Sequence, residues 1–300
     1  MCGIVGLFFK DDRFDARLGE LLTPMLVAMS DRGPDSAGFA VYGAGIQEHV
    51  KVTISAPSGP VAFDGLAERM SRALEAEVTA VVRSNHCVLS MPEVTVERAL
   101  AWLKDNAPNV HVVGAGTRME IYKEVGLPER VVSRFNLAKM TGTHAIGHTR
   151  MATESAVTTN GAHPFSTGID QCLVHNGSLS NHNSLRRKLK HDGLTFDTEN
   201  DTEVAAAYLT WRMRQGMNLG HALEASLADL DGFYTFVVGS ESGFGVLRDP
   251  IACKPAVMAE TESYVAFGTE YRALVTLPGI EHARVWEPEP AKVYFWERGQ

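Results

Sequence analysis

Apolar positions along this chain follow two periods, one of strands and one of helices. Gly3-Ile4-Val5-Gly6-Leu7-Phe8-Phe9 is a nearly unbroken apolar run of strand length and predicts a buried strand. Leu18, Leu21, Leu22, Met25, Leu26 and Met29 then fall three and four apart, the stripe of a helix with one apolar face. Asp31-Arg32-Gly33-Pro34-Asp35-Ser36 interrupts it with turn formers, and residues 37–42 resume as strand. Residues 45–143 alternate strand-like runs (78–83, 110–113) with helical ones, at Val96, Leu100 and Leu103 and again over 131–140. Beyond them the pattern predicts a strand at 145–151, a Gly- and Pro-containing loop at 160–165, and a strand at 171–175 ending at Asn176-Gly177. Helices are predicted at 183–190, closed by Gly193, at 202–215, with Gly216 past its end, and through Leu219, Leu223 and Leu227. The last third reads mostly as strands, at 233–238, 244–247, 264–267 and 292–296.

Composition narrows the function. Three hundred residues without an internal repeat or low-complexity linker fit a single domain, with 45–143 as an inserted subdomain. A formal charge of −8 provides no basic footprint for nucleic acid or an anionic membrane, so neither is expected as a partner. No apolar run approaches the roughly 20 residues that span a bilayer, and residues 1–9 lack a secretory signal. The expected location is the cytoplasm. The four cysteines, Cys2, Cys87, Cys172 and Cys253, form neither a CxxC pair nor a zinc spacing, and the last three are expected in the core. His144 and His148 stand four apart, but their neighbours read as strand and not as the helix that a metal pair needs. No Walker A, HExxH or GxGxxG sequence is present.

Cys2 is the most informative residue. With Met1 removed, its thiol and a free α-amino group share one residue, and an amine of pKa roughly 7.7 to 8.0 serves as a built-in base. Alternatively, Cys2 is the small residue at the head of a buried strand. An attacking thiolate generates an oxyanion, which the Asn176 side-chain amide and the Gly177 N–H are suited to receive; the same dipeptide is also the strongest short hairpin signal. Arg150 can grip a carboxylate by two parallel hydrogen bonds or serve in a structural ion pair. Asp201, where a helix begins, can bind an ammonium or act as N-cap.

Seven segments carry a resemblance: residues 1–6 (MCGIVG), 32–38 (RGPDSAG), 147–153 (GHTRMAT), 162–165 (AHPF), 175–177 (HNG), 200–203 (NDTE) and 248–250 (RDP). In this order they resemble the class II glutamine amidotransferases of the N-terminal nucleophile hydrolase family. That resemblance implies an α+β fold, a four-layer αββα sandwich covering 2–300, here with an inserted α/β subdomain. It also implies Cys2 as nucleophile and its α-amino group as base, with Asn176 and Gly177 as oxyanion hole. Arg150 and Thr153 would bind the glutamine α-carboxylate and Asp201 its ammonium, with Arg32 supporting the nucleophile region. The implied reaction releases ammonia from the glutamine side chain through a γ-glutamyl thioester. Two departures stand out: Glu154 occupies a position that is His in many relatives, and 45–143 is far longer than the connection in sugar-phosphate members. No synthase domain is apparent beside the glutaminase features. The chain is most similar to stand-alone amidotransferase subunits of glutamate-synthase-like complexes, the N-methylglutamate synthase type among them. This implies no cofactor in this chain, and a hetero-oligomer with a synthase subunit that carries FMN and can also hold an iron–sulfur cluster. The alternatives are a self-sufficient amidohydrolase and a catalytically silent scaffold subunit.

Overall fold

The computed structural model describes residues 2–152 and 156–298. Its first strand, β1 (Gly3–Phe9), is buried throughout because both faces are covered. Ile4 and Phe8 point into a core between two sheets, while Val5, Leu7 and Phe9 point to the opposite side against α1 (Leu18–Val27). The alternation within an all-apolar run thus feeds two cores. Gly6 marks where the sheets come closest, since a Cβ there would lie 2.7 Å from the Phe244 ring.

The chain continues through β2 (Ser36–Tyr42), β3 (His49–Ser55), α2 (Leu66–Leu74), β4 (Thr79–Arg83), β5 (His86–Pro92), α3 (Val96–Asn106) and β6 (His111–Gly116). It returns by β7 (Met119–Val125), α4 (Pro128–Arg134) and β8 (His144–Arg150), then enters a second sheet with β9 (Phe165–Gly168) and β10 (Gln171–Leu179). Helices α5 (His182–His191), α6 (Asp201–Arg214) and α7 (Leu219–Asp229) follow, then β11 (Gly232–Gly239) and β12 (Gly243–Arg248). β13 (Val257–Glu260), β14 (Tyr264–Gly268), β15 (Arg284–Trp286) and β16 (Val293–Glu297) complete the fold.

Among the described residues, one sheet has the order β15-β13-β14-β1-β8-β2-β7 and the other β16-β12-β11-β10-β9. Their facing sides share a core of Ile4, Phe8, Tyr42, Ile146, Val174, Val237 and Phe244. α1 and α4 cover the outer side of the first sheet, and α5, α6 and α7 that of the second, where Tyr208 and Leu209 meet Leu173 and Phe236. The layers are therefore αββα, as the sequence implied.

The third sheet, β4-β5-β3-β6, lies within 45–143, with α2 and α3 packed on Val50, Val52 and Ile54. The unit is narrower than that whole stretch. β7 pairs with β2 from Tyr42↔Met119 to Ser36↔Val125, and Val131, Val132, Phe135 and Leu137 share the core of α1. The part outside the main sheet therefore ends before Met119, and Val88 and Val113 of its strands reach into the cores of the sandwich. Gly43 N–H donates to Arg118 O at 3.1 Å, so this part leaves and re-enters the main sheet through adjacent residues. Cys87 and Cys172 are buried, but Cys253 is exposed. Arg248 Nη2 donates to the Ala252 and Lys254 carbonyls at 2.5 and 2.8 Å, drawing the backbone on both sides of Cys253 inward.

Candidate active site

Cys2 stands half-exposed at the head of β1, where the two sheets meet. Its Sγ accepts a hydrogen bond from Met151 N–H at 3.4 Å and lies 3.8 Å from Met151 O. Its carbonyl oxygen receives two side-chain donors, Arg32 Nε at 3.1 Å and Asn176 Nδ2 at 3.2 Å. Sequence separations of 30 and 174 residues close here on one peptide group.

Each partner is set by its own local geometry. Gly33 lies against β8 so closely that a Cβ would meet the Thr149 carbonyl carbon at 2.3 Å, which is why the 31–36 turn carries glycine there. Asp35 then clasps the chain after β8: its N–H donates to Arg150 O at 3.1 Å, and its Oδ2 accepts from Ala152 N–H at 2.8 Å. Arg32 is ion-paired with Glu270, which also binds Arg272 at 2.7 Å. The Arg32 hydrogen bond holds the Glu270 carboxyl below its usual range.

Asn176 and Gly177 do not form a turn. They lie inside β10, facing Thr235 and Tyr234 of β11, because the strand runs on to Leu179. Gly177 keeps the positive φ that its residue type allows, +148°, and a Cβ there would lie 1.9 Å from Phe233 O. His148 Nε2 lies 3.2 Å from both His175 O and Asn176 Oδ1. Both are acceptors, so this nitrogen carries the proton, and the Asn176 amide is turned with its NH2 toward Cys2 O and Thr269 Oγ1, the latter at 3.3 Å. Burial pushes the His148 pKa down to about 3, so the ring stays neutral. Thr269 Oγ1 also accepts Ile4 N–H at 2.8 Å, tying β14's end to β1.

Behind this layer, His163 stacks on His148 with ring centroids 3.9 Å apart. His163 Nε2 and His175 Nδ1 meet Thr202 Oγ1 at 2.8 and 3.0 Å. Lys123, buried on β7, donates to the carbonyls of Asn160, Ala162 and Pro164 at 3.1, 2.9 and 3.3 Å and so fixes the segment that carries His163. Burial lowers its pKa to about 8.

Asp201 is the first residue of α6, and the N-cap is Asn200, whose Oδ1 accepts Thr202 N–H at 2.9 Å. Asp201 Oδ2 accepts Leu179 N–H at 2.9 Å, and Oδ1 lies 3.7 Å from His175 Nδ1. Burial pushes its carboxyl up, but His175 and the Leu179 N–H outweigh that and bring it to about 2. An anionic carboxylate beside His175 can hold a cation. Arg150 ends β8 beside Met151, buried, with Nη1 3.5 Å from Ala156 O. Thr153 and Glu154 lie outside the described residues.

The structure thus joins Cys2, Arg32 and Asn176 directly, and Asp201 to them through His175. It adds three residues that sequence reasoning did not assign to the site: His148, Thr269 and Glu270. His148 had been weighed as half of a metal pair and stood within the 147–153 segment without a role of its own, whereas Thr269-Glu270 sits in an ordinary strand end with no local signal. Among the described residues, no group of three or more His, Cys, Asp or Glu is arranged to hold a metal, and no helix is long and apolar enough to cross a membrane.

Residues 135–295 match the family model of the glutamine amidotransferase domain. The chain is 61% identical over 299 residues to the glutamine amidotransferase-like protein GlxB of Rhizobium meliloti, covering 99% of this chain and 98% of that one. It is 34% identical to a putative glutamine amidotransferase of Methanothermobacter thermautotrophicus, over 98% and 99% of the two chains. Among solved structures, the glutamine phosphoribosylpyrophosphate amidotransferase of B. subtilis shares the fold with a TM-score of 0.63 at 20% identity. The match takes in 99% of this chain but 47% of that one, so this chain spans about half of its length.

Proposed function

The chain belongs to the class II glutamine amidotransferases, and on that footing we propose that Cys2, with Met1 removed, is the nucleophile that opens the glutamine side-chain amide. The α-amino group takes the thiol proton as sulfur attacks the amide carbon, and the carbonyl oxygen becomes an oxyanion. Asn176 Nδ2, exchanging one of its two acceptors for the oxyanion, and Gly177 N–H receive that charge. As the C–N bond breaks, the amine returns the proton to the leaving nitrogen, which departs as ammonia. Water, deprotonated by the same amine, then cleaves the γ-glutamyl thioester to glutamate and regenerates the thiol. Arg150 and Thr153 bind the α-carboxylate, Asp201 the ammonium, and Arg32 steadies the Cys2 peptide. The observation that carries this reading is the pair of donors on the Cys2 carbonyl, which sets residue 2 against the Asn176 amide.

The ammonia is passed to a separate synthase-type subunit carrying FMN, in a cytoplasmic hetero-oligomer of glutamate synthase or N-methylglutamate synthase type. The 61% identity to the Rhizobium meliloti glutamine amidotransferase-like protein supports the glutaminase part of this reading. The inserted sheet, with Val81 and Val82 about half exposed on its edge strand β4, is the element that docks this subunit.

Mass spectrometry of the intact chain, before and after treatment with an electrophilic glutamine analogue, tests the nucleophile. The expected result is a chain lacking Met1 with one adduct mapped to Cys2, and a folded Cys2→Ala variant without glutamine hydrolysis. An adduct elsewhere, or hydrolysis surviving in that variant, overturns the assignment.

A further inference from the structure

We infer that the junction between the inserted sheet and the main sandwich is a binding site for a small oxyanion, separate from the glutamine site. A cavity of about 230 Å³ opens there, between Lys51 of β3, Arg83 of β4, Glu120 of β7 and Asn136, Lys139 and Thr141 of the segment that leads into β8. It lies toward the Tyr42 end of β2, whereas the Ser36 end of that strand pairs with Arg150 beside Cys2.

The lining has more hydrogen-bond donors than the protein uses. Lys51 Nζ donates to Ala44 O and Glu120 Oε1, each at 2.9 Å, which leaves the third N–H of its ammonium unspent. The other Glu120 oxygen accepts the Tyr122 hydroxyl at 2.6 Å, so the one carboxylate in the lining is engaged on both sides. Arg83 Nε is buried without a hydrogen-bond partner, and Lys139 has no ion pair among the described residues. Three cationic groups thus face one occupied carboxylate. A buried guanidinium N–H without an acceptor is costly, and an oxyanion is the group that satisfies it together with two ammonium ions.

The three cations come from both sides of the junction. Lys51 and Arg83 belong to the inserted sheet, whereas Lys139 follows α4 in the core of the sandwich. An anion held among them ties the inserted unit to the main fold. Phosphate and carboxylate share the required chemistry, a compact group with several acceptor oxygens.

Titration calorimetry on the full chain in low-chloride buffer tests the site, using inorganic phosphate and succinate as separate probes. We expect heat of binding and a thermal midpoint several degrees higher at saturation for at least one probe. Tighter phosphate binding identifies a phosphorylated ligand, and tighter succinate binding a carboxylate one. Arg83→Gln and the exposed Lys139→Gln should each weaken binding by about tenfold, with glutamine hydrolysis unchanged in both. Cys2→Ala should leave the anion affinity intact. The inference falls if neither probe binds, if both folded cavity variants bind like the parent chain, or if Cys2→Ala abolishes binding.

Discussion

At its His144 end β8 meets Ser240 and Tyr42, whose hydroxyl reaches Cys172; at its Arg150 end it lies beside Cys2, Asn176 and Met151. Both ends hold a buried neutral histidine stacked on a second ring at 3.9 Å, Tyr42 in one case and His163 in the other. Both hold a free cysteine. At the far end Cys172 is fully enclosed, and burial pushes its thiol up to about 12 despite the Tyr42 hydroxyl 3.3 Å away. At the near end Cys2 is half-exposed and accepts an amide N–H. Residue type does not separate the proposed nucleophile from an enclosed thiol here. Solvent access, and the Arg32 and Asn176 donors on the neighbouring peptide, do.

Acid should affect both ends alike. Burial holds His144 and His148 near pKa 3, against about 6.5 when unfolded. Below about pH 6.5 the unfolded chain takes up protons that the folded chain refuses, so the stability these rings confer is complete above that pH and lost as pH falls toward 3. The pair should contribute a slope approaching about 3 kcal/mol per pH unit between roughly pH 6 and 4. Urea unfolding at several pH values measures the slope, to which buried His86 and His163 add, and replacing either His144 or His148 should lower it by about 1.4 kcal/mol per pH unit; an unchanged slope would mean that the replaced ring protonates in place.

Activity should distinguish the ends. Asn176→Ala is expected to lower kcat by about 10²- to 10³-fold with a small change in KM. His148→Leu should cost about tenfold by releasing the Asn176 amide. His148→Gln, which keeps a donor near the position of Nε2, should recover most of that loss. In an Asn176→Ala background, the His148 change should have no further effect on kcat; additive losses would show that His148 does not act through Asn176. The smallest effect belongs to the far end. Tyr42→Phe should cost about 1 kcal/mol of stability and leave kcat unchanged, and a drop in kcat would show that the two ends are coupled.

The strands and helices of the sandwich were legible because each apolar period is fed by a core, as the two-sided burial of β1 shows. Cys2, Arg32, Asn176 and Asp201 were legible as candidates because ordered motifs carry them. One expectation and two alternatives failed for local reasons. Asn176-Gly177 looks like a turn, but pairing with β11 keeps it extended. Asp201 looks like an N-cap, but Asn200 takes that place with a better-placed side chain. Cys253 looks like core, but Arg248 gathers the carbonyls around it instead. The part played by Thr269 was invisible in the sequence because it depends on a contact 93 residues away with Asn176 and 265 away with Ile4. The limit of the inserted unit was likewise hidden, since β7 and α4 have ordinary patterns that only pairing and packing assign to the main fold.

The Gly43–Arg118 hydrogen bond and the Tyr42–Met119 pairing bring the two ends of the inserted unit together at one point of the main sheet. To the main sheet, everything between those residues amounts to the tip of one hairpin. A lineage can lengthen, shorten or exchange that tip without shifting the register of β2, β7 or β8, and so without moving Cys2. Variation between relatives should therefore collect at this graft, leaving the glutamine chemistry constant while its surroundings diversify.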